Sequence, residues 1–167
     1  MVTTLTAGLR DETESLIYDY YGDSVSVLFK KITIPKEIKL HAEKNARLRF
    51  LQNQVYIWEI TQNDSLVGLA YLDNVKGKSQ PITFAVFYNS QGKVARSHII
   101  KYREPFGGEV SNQYWLKQFF GKSAQSNYKL GKDIDGISGA TISVNAVTRG
   151  IHRSTFVADY FLKKHHE

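Results

Sequence analysis

The sequence predicts an α+β fold, in which an antiparallel β-meander packs with helices and a long helix forms the C-terminal end. The middle of the chain holds four apolar, β-branched and aromatic segments separated by turn-forming residues. Both ends carry apolar residues at helical spacing. The chain has 167 residues and no cysteine, so a hydrophobic core must stabilise it without disulfides. We therefore expect one domain over residues 1–167.

The first third of the chain is predicted to be helix, extended segment and helix. In "DETESLIYDYYG" the apolar positions have helical spacing, and Gly22 is a plausible stop. The next segment, "SVSVLFKKITI", has the pattern of an extended strand. Pro35 is expected to open a helix over "PKEIKLHAEKNARLRF", because its fixed φ and missing N–H suit the first turn. The predicted buried stripe of this helix is Ile38, Ala42 and Ala46.

The central part predicts a four-stranded meander. "QVYIWEI" and "LVGLAYL" flank the turn-forming "TQNDS", and a polar loop, "DNVKGKSQ", is expected next. "PITFAVFY" and "KVARSHIIKY" follow, joined by "NSQG". Both alternating faces of "TFAVFY" are apolar, so this strand should be covered on both sides by the helices from the chain ends.

A glycine-containing loop, "YREPFGGEV", ends the predicted sheet, and a helix is expected around "NQYWLKQFFG". The last helix is predicted to follow Thr141, with Gly150 tolerated in it at modest cost. Its apolar stripe would be Val144, Val147, Ile151, Thr155, Ala158 and Phe161.

Several classes of function are disfavoured. The net charge is +6, but the basic residues are scattered among acids and form no nucleic-acid-binding signature, so no nucleic-acid partner is expected. The histidines lack metal-ligand spacing; His41 and His152 are expected at the surface, and His98 at the edge of the core. No elbow-type serine or Walker loop is present, and no catalytic residue is predicted. Trp58 and Trp115 are expected in the core.

The stretch "DIDGISGATIS", residues 133–143, places small and hydroxylated residues at the start of the last helix. Backbone N–H groups there lack intrahelical partners and the helix dipole favours an anion, so Ser138, Gly139, Ala140 and Thr141 suit a phosphate group. The same residues also fit a simple N-cap, worth about 1 kcal/mol. Asp135 has a similar second interpretation, as a turn former. The residues alone leave both interpretations open.

This stretch, followed by an apolar helix, resembles the flavinylation motif of the FMN-binding domain family. Known members include flavin-carrying subunits of sodium-pumping NADH:quinone reductase and of ferredoxin:NAD reductase complexes. In the family, a flavin transferase links FMN through a phosphoester to the last residue of a Ser/Thr-Gly-Ala-Ser/Thr motif. The resemblance therefore implies covalent FMN on Thr141, within the motif formed by Ser138, Gly139, Ala140 and Thr141, with Asp135 at the upstream acidic position.

The resemblance extends over roughly residues 66–152. "REPFGGEV" stands in the place of the family's Glu-Thr-Pro-Gly segment: Glu104 and Gly107 match it, while Pro105 and Phe106 depart from it. "WLKQF" is similar to a stretch that usually follows. The resemblance implies a flavin-binding core over residues 61–167, after a helical and extended region over 1–60. We expect a flavin-side hydrogen bond from Glu104, and solvation of Glu109 in the loop.

The function implied is extracytoplasmic electron transfer by a carrier, as a subunit of a membrane oxidoreductase and not as a stand-alone enzyme. The expected partners are a flavin transferase, a membrane electron donor and a downstream redox acceptor. Membrane association would use a segment absent from this sequence, since a signal or anchor can be removed. Two alternatives remain: a module that binds FMN or another phosphate ligand without a covalent bond, and an interaction domain without a cofactor.

Overall fold

The computed structural model describes residues 5–167 and confirms the predicted α+β class. A five-stranded antiparallel sheet has the strand order β1-β2-β3-β4-β5. The elements are α1 (Ala7–Tyr21), β1 (Ser26–Thr33), α2 (Lys36–Ala46), β2 (Gln54–Gln62), β3 (Ser65–Lys76), β4 (Pro81–Asn89), β5 (Val94–Lys101), α3 (Gln113–Leu116) and α4 (Thr141–His166). Short 3₁₀ helices at Gly108–Ser111 and Lys117–Phe119 flank α3.

The sheet has one strand more than the four-stranded meander predicted. The extended segment after α1 forms β1 and pairs antiparallel with β2, from Ser26 opposite Thr61 to Thr33 opposite Gln54. The β2–β3 hairpin turns at Asn63 and Asp64, whose φ angles are 50° and 62°. Two successive left-handed residues are the geometry of a tight hairpin turn that continues the twist of its strands.

The predicted polar loop at residues 73–80 is wrong in its first half, because β3 continues to Lys76. Asp73 and Asn74 are both buried within this strand. Arg153 of α4 donates to Asp73 at 2.8 Å, and the Thr83 hydroxyl donates to the Asn74 side chain at 2.6 Å. Buried polar groups are stable in a strand when they have such partners, which the local sequence does not reveal.

Helices cover the two faces of the sheet, as predicted. Leu9 and Ile17 of α1 pack in one core cluster with Trp58. Val147 and Ile151 of α4 belong to the other cluster, on the opposite face. Between the two, β4 is buried over its seven central residues, which confirms that this strand is covered on both sides.

Three helices differ from their predicted bounds. α1 begins earlier, at Ala7, where the hydroxyl of Thr6 accepts the N–H of Leu9 at 3.3 Å. α2 ends at Ala46, because the chain turns into the left-handed region at Arg47, φ 53°. The helix expected over 112–121 is a single α turn followed by a 3₁₀ turn. Within residues 5–167, no helix has both the length and the hydropathy to cross a membrane.

The predicted stripe of α4 is buried, with Phe161 partly buried against the same core. Gly150, however, is a close-contact position and not merely a tolerated glycine. A Cβ atom on Gly150 would lie 2.6 Å from Val75 Cγ1 and 3.2 Å from two ring atoms of Phe84. The glycine therefore allows α4 to approach the sheet.

Candidate functional site

The start of α4 lacks a side-chain cap. Ala140 is the N-cap residue, and no side-chain oxygen accepts from the first turn. Gly139 has φ +82°, a conformation that favours glycine, and it leads the chain into Thr141, the first helical residue. The simple N-cap interpretation of this stretch is therefore wrong. The first N–H groups of α4 are left for water or a ligand.

Thr141 lies at the wall of a cavity of about 530 Å³. Three separate segments of the chain form it: the start of α4, the glycine-containing loop, and the turn between β3 and β4. The lining residues are Lys78, Ser79, Glu104, Pro105, Phe106, Gly107, Gly139, Ala140, Thr141, Ile142 and Ser143. The structure thus brings five of the predicted site residues to one place: Glu104, Gly107, Gly139, Ala140 and Thr141.

Glu104 fixes the turn between β3 and β4. Its Oε1 accepts the backbone N–H groups of Ser79 at 2.6 Å and Gln80 at 2.9 Å. The bonds from Gln80 and Ser79 lower the pKa of Glu104 below its ordinary value, because they stabilise the ionised carboxylate. One carboxylate oxygen therefore holds the cavity wall in place. The predicted flavin-side hydrogen bond of Glu104 stays a prediction, and Glu109 is exposed as expected.

Gly107 lies where the loop meets α4. Its φ is +84°, and a Cβ atom there would lie 2.6 Å from the Tyr102 hydroxyl oxygen and 2.8 Å from Ser143 Oγ. These two hydroxyl oxygens are 2.7 Å apart, and the Tyr102 hydroxyl also donates to the carbonyl of Phe106. A glycine is required because a side chain would break the contact between Tyr102 and Ser143.

Tyr102 and Ser143 are site residues that the sequence pattern did not single out. Tyr102 is the first residue of the glycine-containing loop, directly after β5, and Ser143 is the third residue of α4. A tyrosine at the start of the loop is the one signal in the sequence, since its partner Ser143 lies 41 residues away and meets it only in the folded chain.

Asp135 and Ser138 lie outside the cavity lining, and Asp135 is exposed. The backbone of Asp135 is nevertheless held on both sides: its carbonyl accepts the indole N–H of Trp115 at 2.8 Å, and its N–H donates to Gln118 Oε1 at 2.8 Å. Trp115 is buried as expected, behind the turn, and Trp58 is in the core. The "WLKQF" stretch thus positions the backbone that leads to Thr141.

The rim of the cavity is apolar and exposed. Phe106 is 82% exposed and Ile142 is 51% exposed, and both line the cavity with Thr141. Lys78 supplies a positive charge to the lining. An anion at the start of α4 and a flat apolar ring against the rim would both find complementary surroundings here.

The histidines lie elsewhere. His41 is exposed as predicted, but His152 is partly buried, with its ring stacked on Tyr128 at a centroid distance of 4.1 Å. The surface prediction for His152 is therefore wrong. His98 is partly buried and contacts Gln113, as expected for the edge of the core. Across residues 5–167, no group of three or more His, Cys, Asp and Glu side chains is arranged to hold a metal.

An uncapped helix start, a glycine loop held against it, and an apolar rim form a site that suits a phosphate-bearing ligand. Residues 77–155, just under half of the chain, match the model of the FMN-binding domain family. The match confirms the resemblance and supports FMN as the cofactor. The segment contains both Glu104 and Thr141.

The fold is similar to the crystal structure of NqrC from Shewanella oneidensis. The TM-score is 0.61, the sequence identity is 16%, and the similarity covers 87% of each chain. No curated protein matches the chain.

Proposed function

We propose that this protein is an electron-transfer flavoprotein whose FMN is esterified through its phosphate to Thr141 Oγ1. The observation that carries the proposal is the position of Thr141: an exposed residue in the first turn of a helix without a side-chain cap, at the wall of a cavity. A hydroxyl with these surroundings is open to an attaching enzyme on one side and adjoins free backbone N–H groups on the other.

The residues of the cavity fit FMN. The free N–H groups at the start of α4 and the ammonium group of Lys78 would hold the phosphate. Phe106 and Ile142 would contact the flavin ring, and Gly107 keeps the loop close to α4. The cavity volume of about 530 Å³ is in the range of small-molecule sites.

FMN supplies the electron-accepting and electron-donating chemistry when it is bound, and the protein supplies its position and surroundings. Glu104 holds the β3–β4 turn through two backbone N–H groups. Tyr102 and Ser143 hold the glycine loop against α4. Asn145 donates to the carbonyl oxygen of Thr141 at 2.9 Å and fixes the backbone at the attachment point. The apolar rim of Phe106 and Ile142 would exclude water from part of the bound flavin.

The experiment is a visible spectrum of protein co-expressed with a flavin transferase, then denatured and filtered. We expect flavin absorbance to stay with the polypeptide in the native sequence and in Thr33→Ala, the matched control, because Thr33 is an exposed threonine outside both the attachment motif and the cavity lining. Thr141→Ala should lose it. Flavin that filters away from the native protein would establish the non-covalent alternative. No flavin at all, with active transferase present, would favour the cofactor-free interaction domain.

We further propose an extracytoplasmic location, a membrane electron donor and a downstream redox acceptor. A covalent bond retains the cofactor where a dissociated FMN would be lost. Anaerobic membranes supplied with NADH should bleach the flavin absorbance of the added protein, while NADH without membranes should not. Cell fractionation tests the location, and flavinylated protein found only in the cytoplasm would contradict it.

A further inference from the structure

A second cavity, of about 510 Å³, lies between the end of α2, residues 128–130 and the middle of α4. It shares no lining residue with the cavity at Thr141. Its lining residues are Asn45, Ala46, Arg47, Tyr128, Lys129, Leu130, Asn145, Thr148, Arg149 and His152. Its size is within the range of small-molecule sites.

The cavity is strongly cationic. Arg47, Lys129 and Arg149 come from three different segments, and none of them forms an ion pair with any residue in the described range 5–167. None of the described residues that line the cavity carries a carboxylate. The C-terminal end of α2 contributes a partial negative charge, about half an elementary charge, which three full positive charges exceed. The side-chain amides of Asn45 and Asn145 also line the cavity, and each already donates one N–H to a helix carbonyl, that of His41 and that of Thr141.

A buried hydroxyl at this cavity has no partner. Thr148 is 2% exposed and lines the cavity, and its Oγ1 makes no hydrogen bond to any described residue. An unpaired buried hydroxyl costs about 1–3 kcal/mol. A hydrogen bond to a ligand oxygen would remove this cost.

An aromatic wall completes the site. Tyr128 and His152 stack with an angle of 14° between their ring planes. Burial lowers the pKa of His152 to about 4, so this ring is neutral at pH 7 and acts as part of an apolar wall.

We propose that this cavity binds a mononucleotide-type phosphate monoester, with the dianion held by Arg47, Lys129 and Arg149 and the flat base near the Tyr128–His152 wall. Arginine pairs its N–H donors with phosphate and carboxylate oxygens alike, but three cations match the dianion of a phosphate monoester better than the single charge of one carboxylate. The site is separate from the proposed flavin site, and its occupation does not depend on FMN at Thr141.

The test is isothermal titration calorimetry of the full chain with AMP, adenosine and inorganic phosphate. We expect saturable AMP binding, weaker binding of inorganic phosphate and none of adenosine. The double variant K129Q/R149Q should bind AMP at least about tenfold more weakly, because two charge-assisted contacts are lost. Lys132→Gln is the matched control: it removes an exposed positive charge close in sequence but outside the cavity, and should leave the affinity unchanged.

Two further variants test the unpaired hydroxyl and the separation of the two cavities. Thr148→Val should weaken AMP binding severalfold without lowering the melting temperature, because it removes an unpaired hydroxyl at nearly constant volume. Lys78→Gln, at the other cavity, should leave the affinity unchanged; a loss there would place AMP in the proposed flavin site and overturn the proposal. Absence of AMP binding, equal affinity for inorganic phosphate, or an equal effect of Lys132→Gln would also overturn it.

Discussion

Arg153→Met removes the cation of an ion pair inside the contact between α4 and the sheet. Arg153 is fully buried, and its Nη2 lies 2.8 Å from Asp73 Oδ2. Its Nη1 donates to the carbonyl of Arg49 at 2.6 Å, and its guanidinium lies 4.0 Å from the ring centroid of Phe50. Methionine is an unbranched, flexible side chain without charge, so the substitution tests mainly the loss of the ionic contacts.

The expected loss follows from the contacts that remain. Removing one member of a buried pair costs about 3–5 kcal/mol, because the other charge stays out of water. Asp73 keeps hydrogen bonds from the Tyr71 hydroxyl and the Asn74 N–H, each at 2.7 Å. The loss in unfolding free energy should therefore lie at the lower end of this range, about 3 kcal/mol. With a urea m-value of about 1–3 kcal/mol/M, the unfolding midpoint should fall by at least about 1 M.

The assay is urea unfolding followed by circular dichroism for the native protein, Arg153→Met, Asp73→Asn and the double variant. Each single variant leaves a buried partner unpaired. The free energy of unfolding of the double variant should therefore exceed the additive value by at least about 2 kcal/mol. Additive losses, or a loss below about 1 kcal/mol for Arg153→Met, would refute the assignment of this pair as a main contact holding α4.

Two other changes test the packing and the partly buried histidine. Gly150→Ala should lower the free energy of unfolding by about 1–2 kcal/mol although alanine has the better helix propensity, because the new Cβ would lie 2.6 Å from Val75 Cγ1 and 3.2 Å from the Phe84 ring. The control in chemical unfolding is Gly8→Ala, which should not lower the free energy of unfolding because nothing lies within 4 Å of a Cβ there. Burial lowers the pKa of His152 from 6.5 to about 4. Between these two pH values His152 is protonated in the unfolded chain but not in the folded protein, so the folded protein loses stability as the pH falls through this range. Between about pH 7.5 and pH 5 the free energy of unfolding should fall by about 1 kcal/mol, since solvent screens part of the effect on a partly buried ring. His152→Gln should remove this pH dependence. An equal dependence of unfolding free energy on pH in the two proteins would contradict the burial.

The elements that sequence could predict are those with local causes. The final helix follows from its apolar stripe, and the paired strands follow from β-branched runs and turn residues. The continuation of β3 through Asp73 and Asn74 could not be predicted locally, because it depends on Arg153, 80 residues away. Likewise, the need for glycine at position 150 arises from its distance to Val75 on another element.

The candidate site divides in the same way. Thr141 and Gly139 were predictable from the pattern of small and hydroxylated residues at a helix start. The contact between Tyr102 and Ser143 was not, because it joins two segments only after the chain has folded. The role of Trp115 could not be predicted either, because its indole N–H donates to the carbonyl of Asp135 only in the folded chain.

The most direct test of the central claim is the intact mass of the protein after co-expression with a flavin transferase, followed by peptide mapping. A phosphoester at Thr141 predicts a mass raised by FMN less one molecule of water, located on the peptide that contains residues 138–143. Thr141→Ala should show the unmodified mass. An unmodified native protein beside an active transferase, or the same added mass in Thr141→Ala, would contradict the attachment of flavin at this helix start.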